Sequence, residues 1–146
     1  MKLSKQELDF LNEIRFGVLA TVNADGAPQQ TVMWYMPIDG DTILMNTKKG
    51  RVKDKNLERD GRASLCIEDG QRYVAMRGTI EVDHDPEHGQ QTMRAVTTHY
   101  VGEAEAEKKR NKMYRHEHGD ELKVKKESAA TDSLRNYPLL KSQVVH

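Results

Sequence analysis

The chain has 146 residues, 36% hydrophobic and 32% charged, with 23 Lys+Arg balancing 23 Asp+Glu. That length fits one domain spanning 1–146. The polarity excludes a membrane-spanning helix, and neutrality argues against a nucleic-acid footprint. The first ten residues carry charge where a signal peptide would be apolar. A single Cys66 excludes an intramolecular disulfide and a multi-cysteine zinc site. The expectation is a cytoplasmic chain, helped by burying a further face in a dimer because its core is small.

Ser4 followed by Glu7 reads as a capping box opening a short helix, with Leu8, Leu11 and Ile14 on its apolar face. The period then changes. Residues 16–22 read as a strand, and Asn23-Ala24-Asp25-Gly26 as a hairpin turn. A second strand is expected over 29–36, with Pro28 ahead of it where a missing N–H is tolerated. Pro37 and Asp39-Gly40-Asp41 turn the chain into a third strand over 42–46. Residues 48–59 read as a basic loop entering a short helix that ends near Asp60-Gly61.

A fourth strand is expected over 62–67, turned by Glu68-Asp69-Gly70. Over 72–83, Val74, Met76, Ile80 and Val82 face one way, while Tyr73, Arg77, Thr79 and Glu81 face the other. Gly78 suggests a bulge or close approach. Residues 87–100 are helical in period, with Met93, Val96 and Tyr100 on one face; Gly102 breaks them, and a polar helix follows over 103–116. Leu122 and Val124 alternate with charges and suit a last strand; 128–132 reads as a loop. Strands at short spacing with turn signals give a mainly β, antiparallel barrel with peripheral helices.

Two stretches carry chemistry. Lys48, Lys49, Arg51, Lys53, Lys55 and Arg59 oppose only Asp54 and Glu58, at the entrance of a helix. Helix N-termini favour anions, and Asn56 adds an amide, so the set suits a phosphate; a solvated basic face is the alternative. The run 29–36 mixes amide, hydroxyl and aromatic groups. A flat ring could lie against it, or Trp34 could be an ordinary core or interface anchor.

The order GVLATVNADGAPQQTVMWYM, TILMNTKKGRVKDKNLERDGRASLCIED, RYVAMRGTIEV resembles the pyridoxamine 5′-phosphate oxidase-like split β-barrel superfamily. Within it, Arg51-x-Lys53-x-x-Asn56-Leu57 followed by Arg62-Ala63-Ser64-Leu65 resembles the flavin/deazaflavin oxidoreductases that use coenzyme F420. The resemblance covers about residues 14–82. It implies a split β-barrel working as a homodimer with cofactor sites at the subunit interface. It implies a cofactor phosphate near Asn46, Thr47, Arg51, Lys53 and Asn56. The ring system would lie along Gln30, Thr31, Val32 and Met33, with Tyr73 and Val74 approaching from the partner subunit. The family has no universal catalytic acid or nucleophile; the cofactor carries the hydride to a small organic substrate.

F420 and FMN both carry a ribityl phosphate, so the loop alone leaves FMN as the alternative. Lys48, Lys49 and Lys55 could meet the longer acidic tail of F420 and favour the deazaflavin. A protein that holds a flavin or haem without turnover is the other class. The final strand is thinner here than in the family, and the tail from about 119 is unplaced. His84, His88, His116 and His118 lack the spacing of a metal site, so no metal is expected. Cys66 is expected to be a buried strand thiol.

Overall fold

The computed structural model describes residues 2–40, 42–106 and 119–126. Helix α1 (Lys5–Asn12) precedes β1 (Gly17–Val22), β2 (Pro28–Met33), the two-residue β3 (Met36–Pro37) and β4 (Thr42–Lys48). Helix α2 (Val52–Arg59), β5 (Arg62–Glu68), β6 (Tyr73–Asp83), helix α3 (Pro86–Val101) and β7 (Gly119–Lys126) follow. The strands form one antiparallel sheet in the order β2-β1-β5-β6-β7-β4-β3. Its two outermost strands, β2 and β3, are separated in the chain only by Trp34 and Tyr35. A two-residue span reaches about 7 Å, so the sheet must curl until its edges meet. This is a split β-barrel.

The expected alternation builds the interior. Gly17 pairs with Ile67 and Leu19 with Leu65 across β1 and β5, while Ile67 pairs with Val74 and Leu65 with Met76 across β5 and β6. All these side chains except the glycine's absent one join a buried cluster with Phe10, Leu11, Tyr35, Ile43, Met45, Leu57 and Ile80. A Cβ at Gly17 would stand 2.9 Å from Leu65 Cδ1 and 3.3 Å from Tyr35 Cδ1, so only glycine lets these chains approach. Helix α2 packs on β1 and β6, and α3 on β4 and β7.

The capping box is present: the Glu7 N–H donates to Ser4 Oγ at 3.2 Å and the Ser4 N–H to Glu7 Oε2 at 2.7 Å. Helix α1 stops at Asn12, however, so Ile14 falls outside it and is exposed, and Phe10 takes the buried position instead. The second strand is shorter than expected because the chain turns at Trp34 to close the barrel. Strand β4 runs on to Lys48. Cys66 is exposed rather than buried: it pairs with Val18 and Ala75, on the outer face of the sheet. The thin pattern around Leu122 and Val124 becomes the full strand β7, sandwiched between β6 and β4. Helical backbone continues over 103–106; the expected remainder to 116, His116, His118 and the 128–132 loop lie outside the described residues.

One end of the barrel is closed by charge. The guanidinium groups of Arg15 and Arg72 lie over the Phe10 ring, 4.5 and 4.8 Å from its centroid. Arg72 also meets Asp69 at 2.6 Å and Glu13 at 3.5 Å, and Arg15 meets both acids. The Arg72 backbone N–H above all, with its side chain and the Gln71 N–H, holds the Asp69 carboxyl at about 2. Its unfolded value is near 3.8. A depressed carboxylate contributes stability above its unfolded pKa and loses it as pH falls toward the folded one. Asp69→Asn should therefore make the acid limb of stability shallower between about pH 4 and pH 2. Thermal melts across that range test it; an unchanged limb would assign the acid response to other carboxylates.

Candidate functional site

Where the sheet closes, a cleft of about 330 Å³ opens between β2, β4, the start of α2 and helix α3. One end is apolar: Phe16, Val32, Met33 and Trp34 from the sheet side, Met93 and Val96 from α3. The other end is polar and cationic, with Asn46, Thr47, Lys48, Arg51 and Thr97. Val32 is 62% exposed and Phe16 61%, so the apolar end is open to a ligand or a second surface. Strand β2 is a sheet edge, and an edge strand keeps one side of its backbone without ladder partners.

The cationic end is built on the start of α2. Arg51 is the N-cap residue and makes no capping hydrogen bond, because a guanidinium only donates. The first N–H groups of the helix therefore lack the side-chain oxygen acceptor an N-cap normally supplies. Lys53 lies in the first turn, only 5% exposed, and its pKa is lowered by burial and by the nearby Arg51. Asp54 offsets this in part, but its Oδ2 accepts the Gly50 N–H at 2.6 Å. In the cleft wall, Thr47 Oγ1 is buried without a hydrogen-bond partner. Arg51 at the uncapped start of the helix and an orphaned hydroxyl line this end of the cleft, with Lys53 buried in the first turn of the same helix, a donor set that suits a phosphate.

Of the residues singled out from sequence, Val32, Met33, Asn46, Thr47 and Arg51 line this one cleft. Gln30 and Thr31 lie further along β2, Gln30 exposed and Thr31 half-buried. Lys53, buried in the first turn of α2, does not line the cleft. Asn56 lies elsewhere: its Nδ2 donates to Thr21 Oγ1 at 3.1 Å and Asn23 Oδ1 at 2.9 Å, and its Oδ1 accepts from Arg59 at 2.9 Å. Those bonds tie α2 to β1 and the first turn. Tyr73 and Val74 sit at the start of β6 and do not line the cleft of their own chain; the Val74 side chain is fully buried in the core.

Sequence reasoning missed Phe16, Met93, Val96 and Thr97, while it had Trp34 in the run suited to a flat ring and Lys48 in the basic set. Met93 and Val96 were legible as one helical face, but nothing local reveals that this face meets β2. Asn46 also has a structural bond, from Nδ2 to the Gly89 carbonyl at 3.0 Å, which holds α3 against β4.

A family model described as pyridoxamine 5′-phosphate oxidase matches residues 3–124. An F420H(2)-dependent biliverdin reductase from Mycobacterium tuberculosis is 31% identical over 86 residues, 58% of this chain and 62% of that protein. The aligned region thus spans about three fifths of that curated relative. Among solved structures, the conserved hypothetical protein Rv2991 from Mycobacterium tuberculosis aligns with a TM-score of 0.73 at 33% identity, over 86% of this chain and 82% of that one. An F420 reductase shares the fold, with a TM-score of 0.62 at 21% identity over 82% and 92% of the two chains. The chain belongs to the pyridoxamine 5′-phosphate oxidase family, whose split β-barrel it adopts.

Proposed function

We propose that this protein is an oxidoreductase that reduces a small organic substrate by hydride transfer from the reduced deazaflavin F420. The observation that carries the reading is the cationic, uncapped start of α2 beside the orphaned Thr47 hydroxyl, opening directly into an apolar cleft. Arg51, Lys53 and Thr47 would hold the ribityl phosphate, and the edge of β2 at Val32 and Met33 would receive the ring. The bound deazaflavin supplies the hydride, and the substrate takes its matching proton from solvent or a neighbouring donor. The chain's own part is to fix the phosphate, orient the ring and keep water from the apolar end. The exposed Lys48, Lys49 and Lys55 suit the acidic tail of F420, and the likeness to an F420H(2)-dependent reductase favours the same carrier.

In this reading the protein is a homodimer. Val32, Val18, Cys66 and Ala75 stand directly across from one another on β2, β1, β5 and β6. They make an apolar row on the outer face of the sheet, which a second copy would cover. Sedimentation at micromolar concentration should show one species near twice 16.7 kDa. A monomer that binds cofactor fully would overturn the dimer.

The carrier is tested on Lys53. Lys53→Met keeps the buried stem and removes the charge. It should weaken the deazaflavin by roughly ten- to a hundredfold, the worth of a charge-assisted phosphate contact. Burial already disfavours the ammonium, so the ligand-free variant should melt no lower than the parent. Lys55→Met, on the exposed face, should lose little affinity, and what it loses should vanish at high salt. Equal, salt-screened losses in both would reduce the site to diffuse charge. Tight binding of FMN with no binding of F420 would move the assignment to the flavin. Asn56→Ala should act on the fold: it strands the Thr21 and Asn23 acceptors and should cost about 1–3 kcal/mol in denaturant unfolding.

A further inference from the structure

Helix α3 lies over the cleft and is fastened to the sheet at both ends. Near its start, the Gly89 carbonyl accepts from Asn46. Near its end, the Tyr100 hydroxyl makes two backbone bonds, donating to the Arg15 carbonyl and accepting from the Tyr35 N–H at 3.1 Å. Tyr100 stands eleven positions after Gly89, about 16 Å along a helix. Between them Met93, Val96 and Thr97 face the cleft.

The two backbone groups held by Tyr100 have a common property. Each is next in the chain to an aromatic residue of the cleft: Arg15 precedes Phe16, and Tyr35 follows Trp34. The Tyr100 ring stacks on Trp34 with centroids 4.7 Å apart and planes within 7°. It also meets Phe16 at 6.4 Å and Tyr35 edge-on at 6.4 Å. One side chain that does not itself line the cleft thus touches both rings that do, and anchors the backbone beside each. Burial raises the phenol's pKa, so the hydroxyl keeps its proton and can donate and accept at once.

We propose that Tyr100 is a positioning residue that sets the aromatic wall formed by Phe16 and Trp34, and that this wall receives the substrate: a flat, conjugated molecule. The substrate class rests on the oxidoreductase reading; the positioning of the two rings does not. The groups proposed for the phosphate, Arg51, Lys53 and Thr47, lie on β4, on α2 and at its N-cap, elements Tyr100 does not touch. Loss of the Tyr100 hydroxyl should therefore act on the substrate and leave the phosphate contacts of the cofactor.

Trp34 is the chain's only tryptophan, so its fluorescence reports on the wall directly. Tyr100→Phe keeps the stacking ring and removes the hydroxyl. Acrylamide should then quench Trp34 more efficiently than in the parent. With reduced F420 as donor and menadione as a flat probe acceptor, KM for menadione should rise by about three- to tenfold. The F420 dissociation constant should stay within about twofold. Trp34→Leu removes the wall itself and should raise the same KM with F420 binding retained, which keeps the test open if Tyr100→Phe folds poorly. Unchanged quenching in Tyr100→Phe, or an unchanged KM in Trp34→Leu, would overturn the proposal. So would a cofactor affinity that falls with the KM effect. If the parent binds neither F420 nor FMN, the oxidoreductase reading and the substrate assignment fail together, while the quenching comparison still decides the positioning.

Discussion

The constraint on which the molecule depends is the two-residue span between β2 and β3. Trp34 and Tyr35 join the two edges of a seven-stranded sheet, and no flat arrangement allows that. Tyr35 is drawn into the core by the closure, at 1% exposure, and packs against a strand position that has no side chain, Gly17. Trp34, pointing the other way, is left at the cleft. The same turn that completes the barrel therefore delivers the aromatic ring of the site. It also brings β2 close to β4 without a ladder between them, and that gap is where the cleft opens.

The opposite end of the cleft is organised by unbalanced charge. A helix start normally gains an acceptor, yet here it has an arginine as cap and a buried lysine in the first turn. Burial and Arg51 both work against the Lys53 ammonium. Such an arrangement costs stability in the isolated chain and is relieved by a bound anion, which gains the fixed N–H groups and both cations at once. Among the described residues several buried polar atoms lack partners, including Tyr35 Oη, Asp54 Oδ1 and Glu7 Oε1. Thr47 Oγ1 is the one of them carried by a residue of the cleft wall, which separates a candidate ligand contact from imperfect internal packing.

Local signals in the sequence were accurate where one element suffices. The Ser4–Glu7 capping box, the Asp25-Gly26 turn and the alternation of Val74, Met76 and Ile80 depend only on neighbours a few residues away, and each appears in the structure. The failures share a cause. Cys66 lies on the outer face because its register with Val18 and Ala75 is set by two other strands. The break at Trp34 follows from barrel closure, which no strand pattern encodes. β7 gains its place from pairing on both sides with β6 and β4, so a weak alternation was enough. The bonds of the Asn56 amide to Thr21 and Asn23, more than thirty residues away, are likewise beyond any local pattern. Val32, Met33, Asn46, Thr47 and Arg51 were legible together only through resemblance to a family, because they come from three separate segments.

The cleft is therefore not a local motif set into a finished fold. Its walls come from β2 and its closing turn, from β4, from the start of α2 and from one face of α3. The fastening of α3 is the step that unites them. Asn46 holds one end of that helix from within the polar wall, and Tyr100 holds the other from behind the aromatic wall. A change in either fastening should move Met93 and Val96 relative to Trp34, since all three line the same cleft. The groups proposed for the phosphate have no such dependence, because Arg51, Lys53 and Thr47 sit on β4, on α2 and at its N-cap. The architecture thus places a rigid anion-binding end beside an apolar end whose shape is set by long-range contacts. A common cofactor handle with a variable substrate wall is what that division permits.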